Sequence, residues 1–454
     1  MRKTNLQKIV LGISFSLITM LPFSADAQLS YVSNLSFAAD HTADEHKALA
    51  ISANGDMYIS INAQRLSILN SSNSTTDFTN TFNSVRAGML VKVDSNNNVI
   101  WSNMVAGDAV SAKNSQVISA KEVGDYIYVV GGVSSNANVP SPVNVFGVGI
   151  QSQGYMDCYI AKLNSSNGQA VWVKSFGSVR DWEMFINLDA DAQGNIYTAG
   201  YFGNISSAPL VFTENFKLSV NGNWGEDYFV VRFNGNGDVV WAKNFGSRFR
   251  EHDDVFGLSV DKSGNALLAI TSNDRSRANL TSESEAKREY IVGSTSYYLY
   301  PEDKKSDALL VKLAATDGSV LWSRFFTGTG NQRLEHVTAL SGNADVVVVG
   351  RADQNIVVQG STGLQEVTIS HPLTTGSNYF IMGFDANGNH LWYNTPQGEI
   401  DVRTLCDDNE NGFYIGGSFN TYAALNAEVI LQATDGNVKE GLLAKYTANG
   451  NCVW

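Results

Sequence analysis

The chain has 454 residues, of which 43% are hydrophobic and 17% charged, and its formal net charge is −13. An acidic surface repels phosphate backbones and anionic bilayers, so nucleic acid is excluded as the natural partner. The three cysteines, Cys158, Cys406 and Cys452, show no metal-ligand spacing and read as small hydrophobes in or beside strands, with a Cys406–Cys452 bridge as the alternative.

The amino terminus carries Arg2, Lys3 and Lys8, then an apolar run from Ile9 to Phe23 and the small-x-small triplet Ala25-Asp26-Ala27. That order predicts an export signal over residues 1–27 and a mature chain from Gln28. The mature balance is 28 basic against 43 acidic residues, or −15. No cysteine follows the cut, so no lipid anchor is expected there, and no later stretch is long enough to cross a bilayer as a helix. The protein is therefore expected outside the cytoplasm, in the periplasm, on the outer surface or secreted. Gln28–Phe37 alternates as a strand would and precedes the first repeat.

From there the chain is one unit written six times. Trp101, Trp172, Trp241, Trp322, Trp392 and Trp454 each follow a turn, as in NGNGDVVW and DANGNHLW, at separations of 71, 69, 81, 70 and 62 residues. Ahead of each tryptophan lies a strand–turn–strand. A first hairpin recurs at Leu49–Ile61, Ile118–Gly131, Leu188–Gly200, Leu258–Thr271, Leu340–Gly350 and Val402–Gly417. Four strands per unit in six units predict an all-β fold, a β-propeller of six four-stranded blades spanning residues 28–454. A linear solenoid is the rival architecture. The strand Gln28–Phe37 is expected to complete the last blade and close the ring. The alternative is that the chain is a fragment continuing into further blades. Alternating inserts such as PLVFTENFKLSV, NIVVQGSTGLQEVTIS and LNAEVILQATDG predict two-stranded flaps on one face, whereas charged Ser272–Asp307 reads as a long solvated loop.

The hairpins LDADAQGNIYTAG with DYFVVRFNGNGDVVWAKNFGS, and LSVDKSGNALLAIT with DALLVKLAATDGSVLWSRFF, resemble the SBBP-type β-propeller repeats of exported bacterial proteins. The resemblance covers nearly all of residues 40–454, the first and fifth units being the weaker copies. The lysine of that pattern appears as Lys92, Lys162, Lys312 and Lys445, while Arg232 and Gly383 depart from it. The inserts resemble those of Bacteroidetes-type surface and secreted proteins, which often carry a separate sorting domain that is not visible before Trp454. The family implies a propeller and export, and supplies no catalytic residues.

Alignment of the first strands puts Asp44, Glu183, Asp253 and Glu335 in one column, with Glu399 or Asp401 in the sixth unit and Lys113 breaking the second. Such a ring would hold Ca²⁺ or hydrogen-bond sugar hydroxyls; the plainer reading is that each acid accepts backbone N–H bonds and holds a loop. His46, His252 and His336 fall near the same mouth, as transition-metal ligands or as solvated loop residues. Trp182, in RDWE, breaks the repeat and either stacks on a sugar ring or packs as a lid. The turns at Asp189–Gly194 and Asp385–Gly388 echo calcium loops but lack the bidentate glutamate, and backbone demands explain them. The repeated tryptophans read as wedges between neighbouring blades.

The expected function is an exported, non-catalytic binding or scaffold module for protein or glycan partners at the cell envelope. It is not expected to span the membrane, and no cofactor is expected beyond the Ca²⁺ candidate. Two alternatives stay open: a quinoprotein-like or other channel-site enzyme, whose G-x-x-x-W hairpin is similar, and the repeat portion of a larger surface protein. Ligand identity and oligomeric state are not legible.

Overall fold

The computed structural model describes residues 36–39, 46–52, 54–63, 65–69, 75–79, 87–96, 98–106, 115–135, 141–179, 181–203, 208–219, 227–247, 254–272, 288–292, 295–299, 306–328, 330–343, 345–360, 365–369, 378–426, 428–433 and 439–454. Every regular element among them is a β-strand. The expected export signal, residues 1–27, lies outside the described residues.

The chain divides into two compact units, Met1–Phe185 and Ile186–Trp454. In the first, the strands His46–Ile51, Met57–Ala63, Ala87–Val93 and Val99–Ala106 lie side by side in chain order, and so do Gln116–Val123, Tyr126–Ser134, Met156–Asn164 and Ala170–Phe176. In the second unit the third, fourth and fifth repeats make the same antiparallel meander. Its fourth members are Val239–Ser247, Val320–Gly328 and His390–Asn394. The sixth repeat departs from the expectation of four meander strands. Gln397–Asp407, Gly412–Ala424 and Glu440–Thr447 pair in order, and in place of a fourth strand Cys452 bridges to Tyr446 while Val453 N donates to the Lys445 carbonyl and Lys445 N to the Trp454 carbonyl.

Two readings of the inserts are corrected. Ser272–Asp307 is not only loop, since Arg288–Val292 and Thr295–Leu299 form a hairpin. Nor do the insert hairpins of three repeats stand free as flaps. Ser141–Val145, Arg288–Val292 and Ile356–Gly360 each pair with the outermost strand of the preceding repeat, Val99–Ala106, Val239–Ser247 and Val320–Gly328 respectively. An outermost strand otherwise presents a row of unpaired N–H and C=O groups, and the hairpin satisfies them. Leu210–Thr213 and Phe216–Leu218 do form a separate two-stranded sheet.

The amino-terminal strand is also placed differently from expectation. Residues 28–35 lie outside the described residues. Ser36–Ala39 pairs with the first repeat's own insert, Phe37 opposite Ile68 and Ala39 opposite Leu66, rather than with the sixth repeat.

Within each unit the core lies between successive sheets. Tyr197, Tyr228, Val230 and Trp241 of the third repeat pack with Leu268, Ile270, Leu309 and Val311 of the fourth; Val347, Val349 and Ile381 of the fifth pack with Phe413, Ile415 and Ala444 of the sixth. Inner strands such as Ala87–Val93, Asp307–Leu313 and Tyr379–Phe384 are buried on both faces and read as apolar runs, whereas outer strands such as Ala170–Phe176 and His390–Asn394 stay partly exposed.

Four of the six tryptophans fasten these layers, as wedges and through a hydrogen bond, whereas Trp172 Nε1 is buried without a hydrogen-bond partner. Trp101, Trp241, Trp322 and Trp392 donate from Nε1 to the carbonyls of Ser165, Ala315, Ala386 and Ala448, each in the turn of the next repeat, at 2.9, 2.9, 3.0 and 2.8 Å. Their rings lie against Gly168, Gly318, Gly388 and Gly450, all at φ between 68° and 81°. A Cβ at these glycines would fall 2.3–2.8 Å from an indole carbon, so the position admits no side chain. Lys92 and Lys312 reinforce the seat, pairing with Asp56 and Asp261 at 3.1 and 2.8 Å and donating to the Ser165 and Ala386 carbonyls at 3.1 Å. Gly383 departs from the lysine pattern because the Trp392 ring occupies the space of its missing side chain.

All three cysteines are free, so no Cys406–Cys452 bridge forms. Cys158 and Cys452 are buried as expected, whereas Cys406 is exposed.

Candidate functional site

The column of acids separates into two environments. Asp44 and Asp253 lie outside the described residues, as do His252 and Lys113. Glu183, with Trp182, lies at the end of the first unit. Glu335 and Asp401 lie in the second, at the starts of the fifth and sixth repeats' first strands.

Glu183 is fully buried. Its backbone N–H donates to the Met156 carbonyl at 2.8 Å, and its Oε1 accepts from the Ser178 amide at 3.2 Å and from the Ser178 hydroxyl. Oε2 is buried without a hydrogen-bond partner. Asp157 and Asp181, also fully buried, stand in the same neighbourhood. Burial pushes the Glu183 carboxyl well above the usual range, its bonds to Ser178 oppose this, and the Asp157 and Asp181 charges add to it. Burial likewise raises Asp157 to about 6, against the pull of the Gln153 and Gly154 amides it accepts from at 2.6 and 2.9 Å. Trp182 is half-buried, bridges in parallel to Met156 and stacks on Tyr155 with ring centroids 6.3 Å apart.

Glu335 was expected in register with Glu183, and here the structure differs. Gln332 N donates to the Ser306 carbonyl just as Glu183 N does to Met156, so Gln332 takes Glu183's place. Glu335 falls three residues later, at a bulge between Leu334 and His336. Its carboxylate meets the guanidinium of Arg351, with Nε at 2.6 Å and Nη2 also in contact. Arg351 lies over the Tyr379 ring, 5.1 Å from its centroid. The Tyr379 hydroxyl donates to Asp401 at 3.2 Å. Asp401 in turn takes both Nε and Nη2 of Arg403, at 2.9 and 2.7 Å, with Lys439 at 3.8 Å.

Glu335 and Asp401, 66 positions apart in the sequence, are thus joined through one tyrosine in a five-charge network. Burial works against the Asp401 charge, but bonds and charge from Arg403 outweigh it and hold the carboxyl below the usual range. Burial lowers the His336 imidazole, partly offset by Glu335. Glu399 turns away and accepts from Asn420 at 2.7 Å. The Glu335 and Asp401 side chains are largely covered, while Arg351, Arg403 and Lys439 stand exposed to solvent. Such a surface presents planar N–H forks and a charge to polar ligands.

The arginines were not singled out from sequence. Their signal is that Arg351 follows the Gly350 that ends the fifth first hairpin, where the third repeat has Tyr201 after Gly200. The acidic turns behave as backbone devices: Asp191 Oδ1 accepts from Gln193 and Asn195, and Asp385 Oδ1 from Asn387 and Asn389, at 2.8–3.0 Å. Among the described residues no group of three or more His, Cys, Asp or Glu side chains is placed to hold a metal ion.

No family model matches the chain, and no curated protein matches it as a relative. Among solved structures it is similar to a protein of unknown function from Bacteroides caccae, at 12% identity over 65% of this chain and 88% of that one with a TM-score of 0.28. It is similar to BamB from Moraxella catarrhalis at 12% identity, over 76% and 97% of the two chains, TM-score 0.25. It is also similar to the quinohemoprotein alcohol dehydrogenase ADHIIG from Pseudomonas putida HK5 at 10% identity, over 92% and 67%, TM-score 0.35. Similarity this low assigns neither a family nor an activity.

Proposed function

We propose that this is an exported, non-catalytic β-propeller of the SBBP type that binds a protein or glycan partner at the cell envelope. In this reading residues 1–27 direct export and the six repeats are the blades.

The binding reading rests on how the acids are divided. A general acid or base needs a carboxyl with a displaced pKa within reach of a substrate. Among the candidate acids and their neighbours, the raised carboxyls of Glu183 and Asp157 are sealed from solvent, and the half-buried Asp345, also raised by burial, closes a turn in which Asn343 Nδ2 donates to it. The accessible one, Asp401, is held ionised by Arg403. What faces solvent is Arg351, Arg403 and Lys439 on a rigid strand framework, suited to recognising polar groups and not to moving protons.

Crosslinking the tagged, exported protein on living cells tests this. A dominant envelope partner or glycan, lost with Arg351→Ala plus Arg403→Ala, is the expected result. No capture above background, together with a melting temperature that rises on adding a quinone or Ca²⁺, would replace the binding module with a cofactor enzyme.

A further inference from the structure

The fifth repeat carries a cation beyond those of the Glu335–Asp401 network. Arg333, on Gln332–Ala339, stands directly across the ladder from Arg351 on Val346–Ala352, and Arg351 directly across from Tyr379. Residues paired in this way share a face with their Cβ atoms about 5 Å apart, and two like charges there cost stability. Both arginines are exposed, and among the described residues no hydrogen bond or ion pair holds Arg333. Folding alone gives no reason to set one arginine against another.

The two ion pairs beside it turn the same sign outward. Glu335 and Asp401 keep 11% and 20% of their side-chain exposure, against 44% for Arg351, 75% for Arg403 and 61% for Lys439. Each carboxylate takes the Nε and Nη2 side of its arginine, which leaves the Nη1 N–H groups for a further acceptor. The neighbouring acids do not cancel this charge. Glu399 is bonded to Asn420 at 2.7 Å. Glu440 belongs to the row of Phe419 and Ile400, on the opposite face of the sheet from Asp401. The cations also lack apolar company, because no large apolar side chain stands exposed on Gln332–Ala339, Val346–Ala352 or Gln397–Asp407. Protein interfaces draw most of their binding energy from a desolvated aromatic or aliphatic centre, and these strands do not present one.

We propose that Arg333, Arg351, Arg403 and Lys439 form a binding site for an acidic glycan, an oligosaccharide that carries uronic acid carboxylates. This rests on the binding reading of Arg351 and Arg403 and narrows its ligand. Guanidinium N–H groups match a sugar carboxylate, and a wet, hydroxyl-rich ligand needs no apolar centre. The formal charge of −13 on the whole chain disfavours denser polyanions such as nucleic acid or an anionic bilayer.

Calorimetric titration of the full chain with tetrasaccharides of galacturonate, mannuronate and glucuronate, each beside its carboxyl-reduced neutral form, tests this. At least one acidic tetrasaccharide should bind at low ionic strength, more weakly as salt is added, and its neutral form should not bind. Arg333→Gln breaks no bond inside the described protein and should weaken that binding roughly tenfold, with a melting temperature unchanged or slightly raised. Arg351→Gln and Arg403→Gln should weaken it as much. Equal binding of the neutral form, or full affinity in Arg333→Gln, would overturn the proposal. So would a hexaglutamate peptide that binds as tightly as the best uronate, since the ligand would then be an acidic protein segment. Should no uronate bind while crosslinking on cells captures a protein that is lost with Arg351→Ala plus Arg403→Ala, the glycan assignment falls and the binding module stands. Failure of both experiments removes the binding reading as well.

Discussion

Glu183 and Glu335 both stand near the start of a first strand, yet they end in opposite electrostatic states. Around Glu183 the available groups are Ser178, backbone amides and two further acids. The cheapest state there is a proton on the carboxyl. Around Glu335 the facing strand ends in Arg351, and the charge is matched at the surface. Asp401 repeats that solution with Arg403. The difference teaches that an acid's chemistry is set by the groups within its reach: a serine and two acids for Glu183, and an arginine for Glu335 three places later in the repeat.

The largest effect that would sharpen this contrast is truncation. Glu183→Ala strands the Ser178 amide and hydroxyl in a buried site and leaves a cavity, a loss of about 2–4 kcal/mol. Glu335→Ala removes a rim ion pair and should cost about 1 kcal/mol or less. Urea denaturation of the two variants decides it, and equal midpoints would break the comparison. Glu183→Gln, which keeps the shape, should sit near the parent at acidic pH and above it at alkaline pH.

The pH dependence should therefore have opposite signs in the two regions. Asp157 is raised to about 6 in the fold, above the roughly 4 of an unfolded aspartate. Between those values the folded state binds more protons, so this contribution is full below pH ~4 and lost as pH rises through ~6. Asp401 is held low by Arg403, so its contribution is present above the unfolded value and lost as pH falls through the lowered one. Hydrogen exchange by mass spectrometry, resolved by segment, should show Met156–Asn164 losing protection as pH rises from about 4 through about 6 while Gln397–Asp407 gains it as pH rises toward the unfolded aspartate value of roughly 4, after correction for intrinsic exchange. Asp157→Asn should flatten the first slope alone.

How much of this was readable beforehand depends on whether the cause was local. The six tryptophans and their turns announce the repeat because a glycine that must hold φ near 70–80° under an indole tolerates no substitute. The strands follow from alternation. Pairing does not: alternation marks Ile356–Gly360 as a strand but says nothing of Val320–Gly328 as its neighbour. Sequence register failed at Glu335 for a specific reason. Leu340 was aligned with Leu188 and Leu258, yet its N–H closes a turn to Asp345 as Asp191 does to Asn195, so it belongs with the turn aspartates. The ionic network was invisible because Arg351, Tyr379 and Asp401 meet across three strands.

Salt gives the smallest and most discriminating test. The Asp401–Arg403 pair is open to solvent on the arginine side, and at 1 M salt charges further apart than about 3 Å are largely screened. Arg403→Ala should therefore cost about 0.5–1 kcal/mol at low ionic strength and distinctly less in 1 M NaCl, where the contacts at 2.9 and 2.7 Å keep only their short-range part. Among the described residues no cation pairs with Glu183, and its bonds are to Ser178 inside the fold, so the Glu183→Ala loss should be the same at both ionic strengths. If salt erased the Glu183→Ala loss instead, that carboxyl would have to be ionised and reached by solvent. It would then rejoin Asp401 as a candidate for ligand contact, and the argument that seals the raised carboxyls away from catalysis would fall with it.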